Sequence, residues 1–383
     1  MKKFKYVHLM THRNTNINYG IIKMIKNNPN DFDDNEHLFV VGHEELKILY
    51  KEDENVIFLP DMFKKNFNKC IGLCKNVDVI FLHQNWFYDF KRFLFTPKTI
   101  KRKFFWCVWG HDLYKDNLPI ERINTKFFIR EKLKRILRDI GYIMVNREVK
   151  YYRGIGIGFK YDSLEIKKRF GDKVEIYQTP YISGLTTKYI DELVENQDCF
   201  INNRKKTIKI MVGHSAHPYL NHIKMLDILA KYRNENILIS LVLVYGNQKY
   251  ADKVISHAIN IFGENKVEIL KNRMSIDKYI MYLNTVDVAI FDQKGQSALG
   301  NIYELMYLKK KIYINEKGFL KTPFELEGIY TSTTKEIEEK NFEEFIAASD
   351  CLKQEKEFSE YFMENQNRIK MWKRTLYRLD KNL

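Results

Sequence analysis

The stretch IKIMVGHSAHPYLNHIKMLDILA, residues 208–230, decides how the chain folds. It opens on a short apolar run, IKIMVG (208–213), and crosses a polar loop holding three histidines. It then continues at helical spacing over 219–233. A buried strand, a loop and a helix, in that order, make the repeating unit of a parallel α/β sheet. The unit recurs downstream, with strands expected at 237–246, 267–270, 286–291 and 311–315 and helices at 249–262, 275–284 and 299–309.

The same alternation runs through the first half. Strands are expected at 4–10, 37–42, 56–59, 78–83, 104–109 and 142–146, with helices at 17–27, 62–75 and 126–140. Residues 150–206 interrupt it. There GIGIG (154–158) lacks G-x-G-x-x-G spacing and reads as a flexible turn. The expected organisation is α/β. A first Rossmann-like domain covers 1–180, a linker 181–206 and a second Rossmann-like domain 207–340, and helices over 341–383 cross back to the first domain. Two such domains facing across a cleft place ligands at the carboxyl ends of their strands.

A length of 383 residues suits two domains, and 45% hydrophobic residues suffice for two cores. No apolar run approaches the 18 residues of a membrane-spanning helix, and mean hydropathy is −0.43. The opening MKKFKYVHLMTHRN has no h-region of a signal peptide and reads as a first strand. Five scattered cysteines show no zinc spacing and read as reduced thiols. A net charge of +15 calls for an anionic partner, whether phosphorylated substrate, anionic lipid or nucleic acid. Zinc-finger spacing and RNP-type aromatic strands do not occur in the sequence, which argues against nucleic acid.

Three constellations carry candidate chemistry. In the loop after IKIMVG, His214, His217 and His222 lack the carboxylates and frame of a zinc site. GHSAH lacks the second glycine of a nucleophile elbow. A phosphate loop fits: Gly213 turns the backbone, Ser215 offers a hydroxyl, and the following helix presents free amides. A plain turn capped by Ser215 competes. In DQKGQSALGNIYELMYL (292–308), Gln296, Ser297 and Gly300 stand where loop amides meet a helix start, and Glu304 is placed to accept ribose hydroxyls, or else is an ordinary helix glutamate. In FFWCVWGHDLYK (104–115), His111 and Asp112 leave a strand end as candidate general bases. Trp106, Trp109 and Tyr114 are either core or a sugar-stacking surface. His8 and His83-Gln84-Asn85 end two further strands. The segment 125–141 has apolar residues along one side and Lys126, Arg130, Lys132, Lys134, Arg135 and Arg138 around the other, so it either packs with a solvated face or lies on anionic lipid.

These motifs resemble glycosyltransferase family 56, the TDP-4-acetamido-4,6-dideoxygalactose:lipid-linked-saccharide transferases of enterobacterial common antigen synthesis. The resemblance runs over about residues 5–320. It rests on W-x-x-W-G-x-D-L-Y (Trp106, Trp109, Gly110, Asp112, Leu113, Tyr114) and on V-G-x-S with a His seven residues on (Val212, Gly213, Ser215, His222). VEILKNRMSIDKYIMYL and the Q-x-x-x-G of Gln296 and Gly300 add to it. His214 and His217 depart from the family, which has Asn and Asp there, and Glu304 stands where the enterobacterial enzymes are apolar. The resemblance implies a GT-B fold and a hexosyltransferase-type reaction independent of metal and cofactor, from a nucleotide-sugar to a polyprenyl-diphosphate-linked saccharide. The expected place is the cytoplasmic face of the bacterial inner membrane, with helix 126–138 on the anionic surface. Gly213, Ser215, His222, Gln296, Ser297, Gly300 and Glu304 are the expected donor-binding residues. Asp112, with His111 or His8, is expected to orient or deprotonate the acceptor. A nucleotide-sugar epimerase of the same fold, or a non-catalytic protein binding anionic surfaces or nucleic acid, are the rival readings.

Overall fold

The computed structural model describes residues 4–10, 15–83, 95–110, 112–114, 136, 140, 143–144, 147–181, 185–195 and 207–382. They form two compact units. The first comprises Met1–Leu113, Arg122–Gly184 and Asn365–Leu383, the second Tyr114–Glu121 and Leu185–Glu364.

The first unit holds a parallel sheet of order β3-β2-β1-β4-β5-β6-β7. Its strands are β1 (Tyr6–Met10), β2 (His37–Val41), β3 (Val56–Phe58), β4 (Val79–His83), β5 (Phe104–Cys107), β6 (Gly154–Ile157) and β7 (Ile176–Gln178). Its helices include α1 (Thr15–Lys26), α2 (Glu44–Leu49), α3 (Phe67–Leu73), α4 (Lys98–Lys101) and α5 (Asp162–Phe170). The central strands are buried end to end, as a sheet covered on both faces requires, so they read as unbroken apolar runs. On one face Phe39, Phe81 and Phe105 pack with Ile21, Ile22 and Ile25 of α1 and with Trp372 and Leu376 of the chain's last helix, Asn365–Lys381. On the other, Val7, Leu9, Ile80 and Leu82 pack with Met62, Cys70 and Cys74. The last helix is fastened by the Trp372 indole, which donates to the Pro180 carbonyl at 2.7 Å, and by Lys5–Asp380 at 2.7 Å.

Two expectations change here. GIGI is not a turn but the strand β6, paired with β5 (Trp106 opposite Ile155) and with β7. Its glycines answer to crowding: a Cβ on Gly154 would lie 2.6 Å from the Tyr177 ring, and one on Gly156 2.6 Å from the Phe105 ring. The strand expected at 142–146 is not seen in its two described residues. Ile143 and Met144 are helical and Ile143 is exposed, because β6 takes the place beside β5.

The second unit's sheet has the order β10-β9-β8-β11-β12-β13, all parallel. Its strands are β8 (Ile208–Val212), β9 (Ile237–Val242), β10 (Val267–Leu270), β11 (Val288–Phe291), β12 (Lys311–Ile314) and β13 (Ser332–Thr333). Its helices are α6 (Thr187–Glu195), α7 (His222–Leu229), α8 (Gln248–Phe262), α9 (Ile276–Thr285), α10 (Leu299–Tyr307), α11 (Lys321–Leu326), α12 (Phe342–Ile346) and α13 (Leu352–Met363). Residues 187–195, within the expected linker, form α6, which Tyr189 ties to Asp277 and Asp191 ties to Tyr307 at 2.7 Å. Of the expected 341–383 segment, residues up to Glu364 group with this unit. Helix α10 is apolar nearly all round because the sheet covers one side and α13 the other, with Tyr303 stacked on Phe362 at 5.4 Å.

The order in which strands are added to this sheet reverses between β8 and β11, the place where a doubly wound domain opens a crevice at its strands' carboxyl ends. The corresponding reversal in the first unit lies between β1 and β4. The loops leaving those strands, with Gln84 and Asn85, lie outside the described residues. No helix among the described residues is long and apolar enough to cross a membrane. Cys70, Cys74, Cys107 and Cys351 are free and buried.

Candidate functional site

The loop from β8 is held by its neighbours on both sides. Ala216 forms a parallel bridge with Gly246 at the end of β9, donating to the Tyr245 carbonyl at 2.7 Å and accepting from Asn247 N–H at 2.8 Å. The helix does not begin at 219 as expected. Pro218–Leu220 make one 3₁₀ turn and Asn221 adopts φ +56°, so α7 starts at His222. The reason is that the Asn221 amide leaves its own backbone and donates to the Asp292 carbonyl and carboxylate, both at 3.0 Å.

Gly213 (φ +69°) is the close approach in this loop. The His222 ring lies over it, with Nε2 the nearest atom to where a Cβ would stand and a ring carbon 3.0 Å from that place. Ser215 is buried, and its hydroxyl shares a 2.8 Å hydrogen bond with His217 Nδ1. His217 stacks on Tyr219 at 5.2 Å and meets the exposed Tyr245 edge-on at 5.8 Å. His214 and His222 are buried. Burial, helped by the neighbouring histidines, pushes His214 down to about 3 and His222 down to about 4, so both rings are neutral near pH 7. His214 Nδ1 and His222 Nε2 have no hydrogen-bond partner. Among the described residues no group of three or more His, Cys, Asp or Glu is placed to hold a metal ion.

Asp292, one residue past β11, ties this end of the sheet together. Its carboxylate accepts from Asn221, from Asn315 at 2.9 Å and from Thr334, and Lys224 lies 3.5 Å away. Sequence reading passed over it. The signal was an ionisable residue closing the apolar run VDVAIF, at a strand end that must face a crevice. Beyond it, Gln296 and Ser297 are half-buried and Gly300 is exposed at the first turn of α10, whose N-cap Ala298 has φ +61°. The amides of that turn are therefore open to an anionic ligand. Glu304 is 7% exposed and faces Tyr279 of α9. Burial, and then the Glu304 carboxylate, hold the Tyr279 phenol above its usual range. Glu304 is thus not an ordinary solvated helix residue.

The first unit corrects the catalytic expectations. Asp112 is 1% exposed, and both carboxylate oxygens are engaged. Oδ2 accepts from the Trp106 indole at 2.7 Å and Oδ1 from the Trp109 amide at 2.9 Å. It pins the turn after β5 and presents no lone oxygen to an acceptor. His8 is fully buried between Phe39 and Phe81, bonded to His37 and to His83 at 2.9 Å each. It is a core histidine, because its place on β1 faces the last helix. Trp106 is core as well, and Tyr114 packs on Phe319 with ring centroids 4.8 Å apart and planes tilted by 55°, within the second unit. His111 and the 126–138 segment, except Ile136, lie outside the described residues.

Comparison with known proteins now bears on this geometry. The family described as 4-alpha-L-fucosyltransferase, glycosyl transferase group 56, matches residues 185–378, just over half of the chain. The chain belongs to glycosyltransferase group 56. The group 56 match takes in every donor-side residue from Gly213 to Glu304 and stops short of Asp112 and His8. The group 56 fold is shared with solved structures at low identity. A glycosyltransferase from Rickettsia africae superposes with a TM-score of 0.61 at 15% identity, covering 100% of this chain and 99% of that one. Anabaena HepE, in complex with UDP and glucose, gives 0.61 at 13% identity, covering 98% and 99%. Trehalose 6-phosphate synthase from Burkholderia multivorans gives 0.60 at 9%, covering 99% and 96%. These neighbours show two Rossmann-like domains of the GT-B type for a chain that is a glycosyltransferase.

Proposed function

We propose that this glycosyltransferase moves a deoxyamino sugar from a TDP- or UDP-linked donor to a polyprenyl-diphosphate-linked saccharide, during bacterial surface-polysaccharide assembly. The observation that carries the reading is the β8/β11 crevice. There the first turns of α7 and α10, with Gly213, Ser215, Gln296, Ser297 and Gly300, leave adjacent strand ends. Amides and helix N-termini at that place stabilise the charge of a departing nucleoside diphosphate without a divalent ion. Glu304, on α10, takes the ribose hydroxyls. HepE, of the same fold, was crystallised with UDP-glucose, which supports a nucleotide-sugar donor.

On the acceptor side Asp112 acts as a positioning residue. It ties Trp109 to Trp106, and His111, its neighbour in sequence, is the general base for the acceptor hydroxyl. The net charge of +15 and the basic 126–138 segment support peripheral docking on the anionic cytoplasmic face of the inner membrane. A thermal-shift screen of TDP-, UDP- and GDP-sugars tests the donor side, and at a ligand concentration of about 100 Kd the stabilisation is about 2.7 kcal/mol. Transfer to a polyprenyl-diphosphate-linked acceptor is expected to persist in EDTA. Loss of transfer that added metal restores, or stabilisation by no nucleotide-sugar, would overturn the reading. Donor consumption without acceptor would turn it toward an epimerase.

A further inference from the structure

Two helices, α1 and the last helix, Asn365–Lys381, cover one face of the first unit's sheet and share its core. Their outward sides are basic. The last helix carries six lysines and arginines against one acid, Asp380, and Lys5 meets that acid at 2.7 Å. Helix α1 holds no acid at all. On the last helix Lys370, Arg374, Tyr377 and Lys381 follow one another at spacings of four, three and four, so they line one exposed stripe about 16 Å long. Tyr377 is 59% exposed, and Lys381 Nζ lies 4.6 Å from its ring centre. Lys23, exposed on α1, belongs to the same layer. Lys373 and Arg378, beside the stripe, are met by Asp31 at 2.8 Å and Glu175 at 3.1 Å. Lys23, Lys370, Arg374 and Lys381 form no ion pair among the described residues.

We propose that this stripe docks the first unit on the headgroup layer of an anionic bilayer. An ordinary solvated helix face mixes both signs, whereas neither of these helices holds an unmatched acid and four cations stay without a counter-charge. Two helices side by side on a sheet present a broad face rather than a cleft, which fits the plane of a membrane. The long basic side chains reach the lipid phosphates, and the Tyr377 ring lies at headgroup level, apolar body inward and hydroxyl in water. The inference rests on the lipid-linked acceptor proposed above, and it adds a contact of described residues to the one assigned to the 126–138 segment.

Sedimentation of the full chain with vesicles of equal parts phosphatidylcholine and phosphatidylglycerol, free of any acceptor, tests this. The chain is expected to bind these and not pure phosphatidylcholine vesicles, and to be released as salt is raised. The triple variant Lys370→Gln, Arg374→Gln, Lys381→Gln alters exposed side chains only, so its Tm is expected to stay unchanged. Each cation lost should lower partitioning about fivefold, and the three together on the order of a hundredfold. Lys249→Gln, Lys253→Gln, Lys335→Gln removes the same charge from exposed positions of the second unit and should leave partitioning nearly unchanged. Equal losses in the two triple variants overturn the proposal, because net charge alone would then hold the protein to lipid. Undiminished binding by the stripe variant also overturns it and leaves the 126–138 segment as the membrane contact. So does a failure to bind either vesicle, in which case transfer to a detergent-solubilised lipid-linked acceptor decides the proposed reaction separately. Salt-sensitive binding to duplex DNA in place of vesicles, lost in the stripe variant, overturns it in favour of a nucleic-acid surface.

Discussion

Acidification should unfold this protein by way of its own interior. His37 and His83 are both pushed down to about 3 by burial, and His8 between them lies well below its usual value for the same reason. In the second unit His214 sits at about 3 and His222 at about 4. In the unfolded chain each ring titrates near 6.5, so below that pH the unfolded state holds protons that the folded state refuses. Stability therefore falls as pH drops from about 6.5 toward about 3, and each ring costs about 2 kcal/mol at about pH 5 relative to pH 7.5. Three such rings remove about 6 kcal/mol from the first unit and two remove about 4 kcal/mol from the second, against a typical total of about 5–15 kcal/mol. Glu355, whose carboxyl is raised by burial, works the other way and offsets part of the loss in the second unit. Urea denaturation followed by tryptophan fluorescence should show the midpoint falling by about 2 M between those two pH values. His37→Leu should remove about a third of the loss in the first unit. An unchanged or higher midpoint at about pH 5 would refute the argument, because it would require these rings to be protonated or solvated in the folded state.

Three substitutions probe the loops. Gly213→Ala forces a Cβ against the His222 ring at positive φ and should destabilise the second unit by about 1–3 kcal/mol, read as a lower Tm, while weakening nucleotide binding. Asp292→Ala takes the carboxylate from Thr334 and leaves the Asn221 and Asn315 amides only the backbone carbonyl of residue 292, so a loss of about 1–3 kcal/mol in chemical denaturation is expected. Asp112→Asn turns an NH₂ toward either the Trp106 indole or the Trp109 amide. It should cost about 1–3 kcal/mol of stability, with kcat falling and donor affinity unchanged; full activity with unchanged stability would remove Asp112 from the acceptor side.

The parallel strands were legible because sheets covered on both faces write themselves as apolar runs, and β9, β11 and β12 did so. What stayed hidden depended on contacts between distant segments. β6 is a strand only because Phe105 and Tyr177 fill the space that side chains would take, so its sequence looks like a turn. Asn221 breaks a helical pattern because Asp292, far along the chain, claims its amide. His8 reads as a strand-end contact, but β1 runs on to Met10, and His8 lies mid-strand with its ring in the core. Asp112 satisfies Trp106 and Trp109 within its own motif, so the spacing that suggested chemistry also records a self-contained turn. The positions of the loops after β8 and β11 were readable, since they follow from strand order alone.

The last helix, Asn365–Lys381, completes the core of the unit that the first 113 residues begin. During synthesis, then, the earlier-made sheet waits with the bed of Trp372 uncovered until the whole second unit has left the ribosome. The second unit, nearly continuous from Leu185 to Glu364, can reach its native state first. Chaperone demand should therefore fall on the amino-terminal half, and a nonsense codon at residue 365 should yield a soluble second unit joined to an unfinished first one.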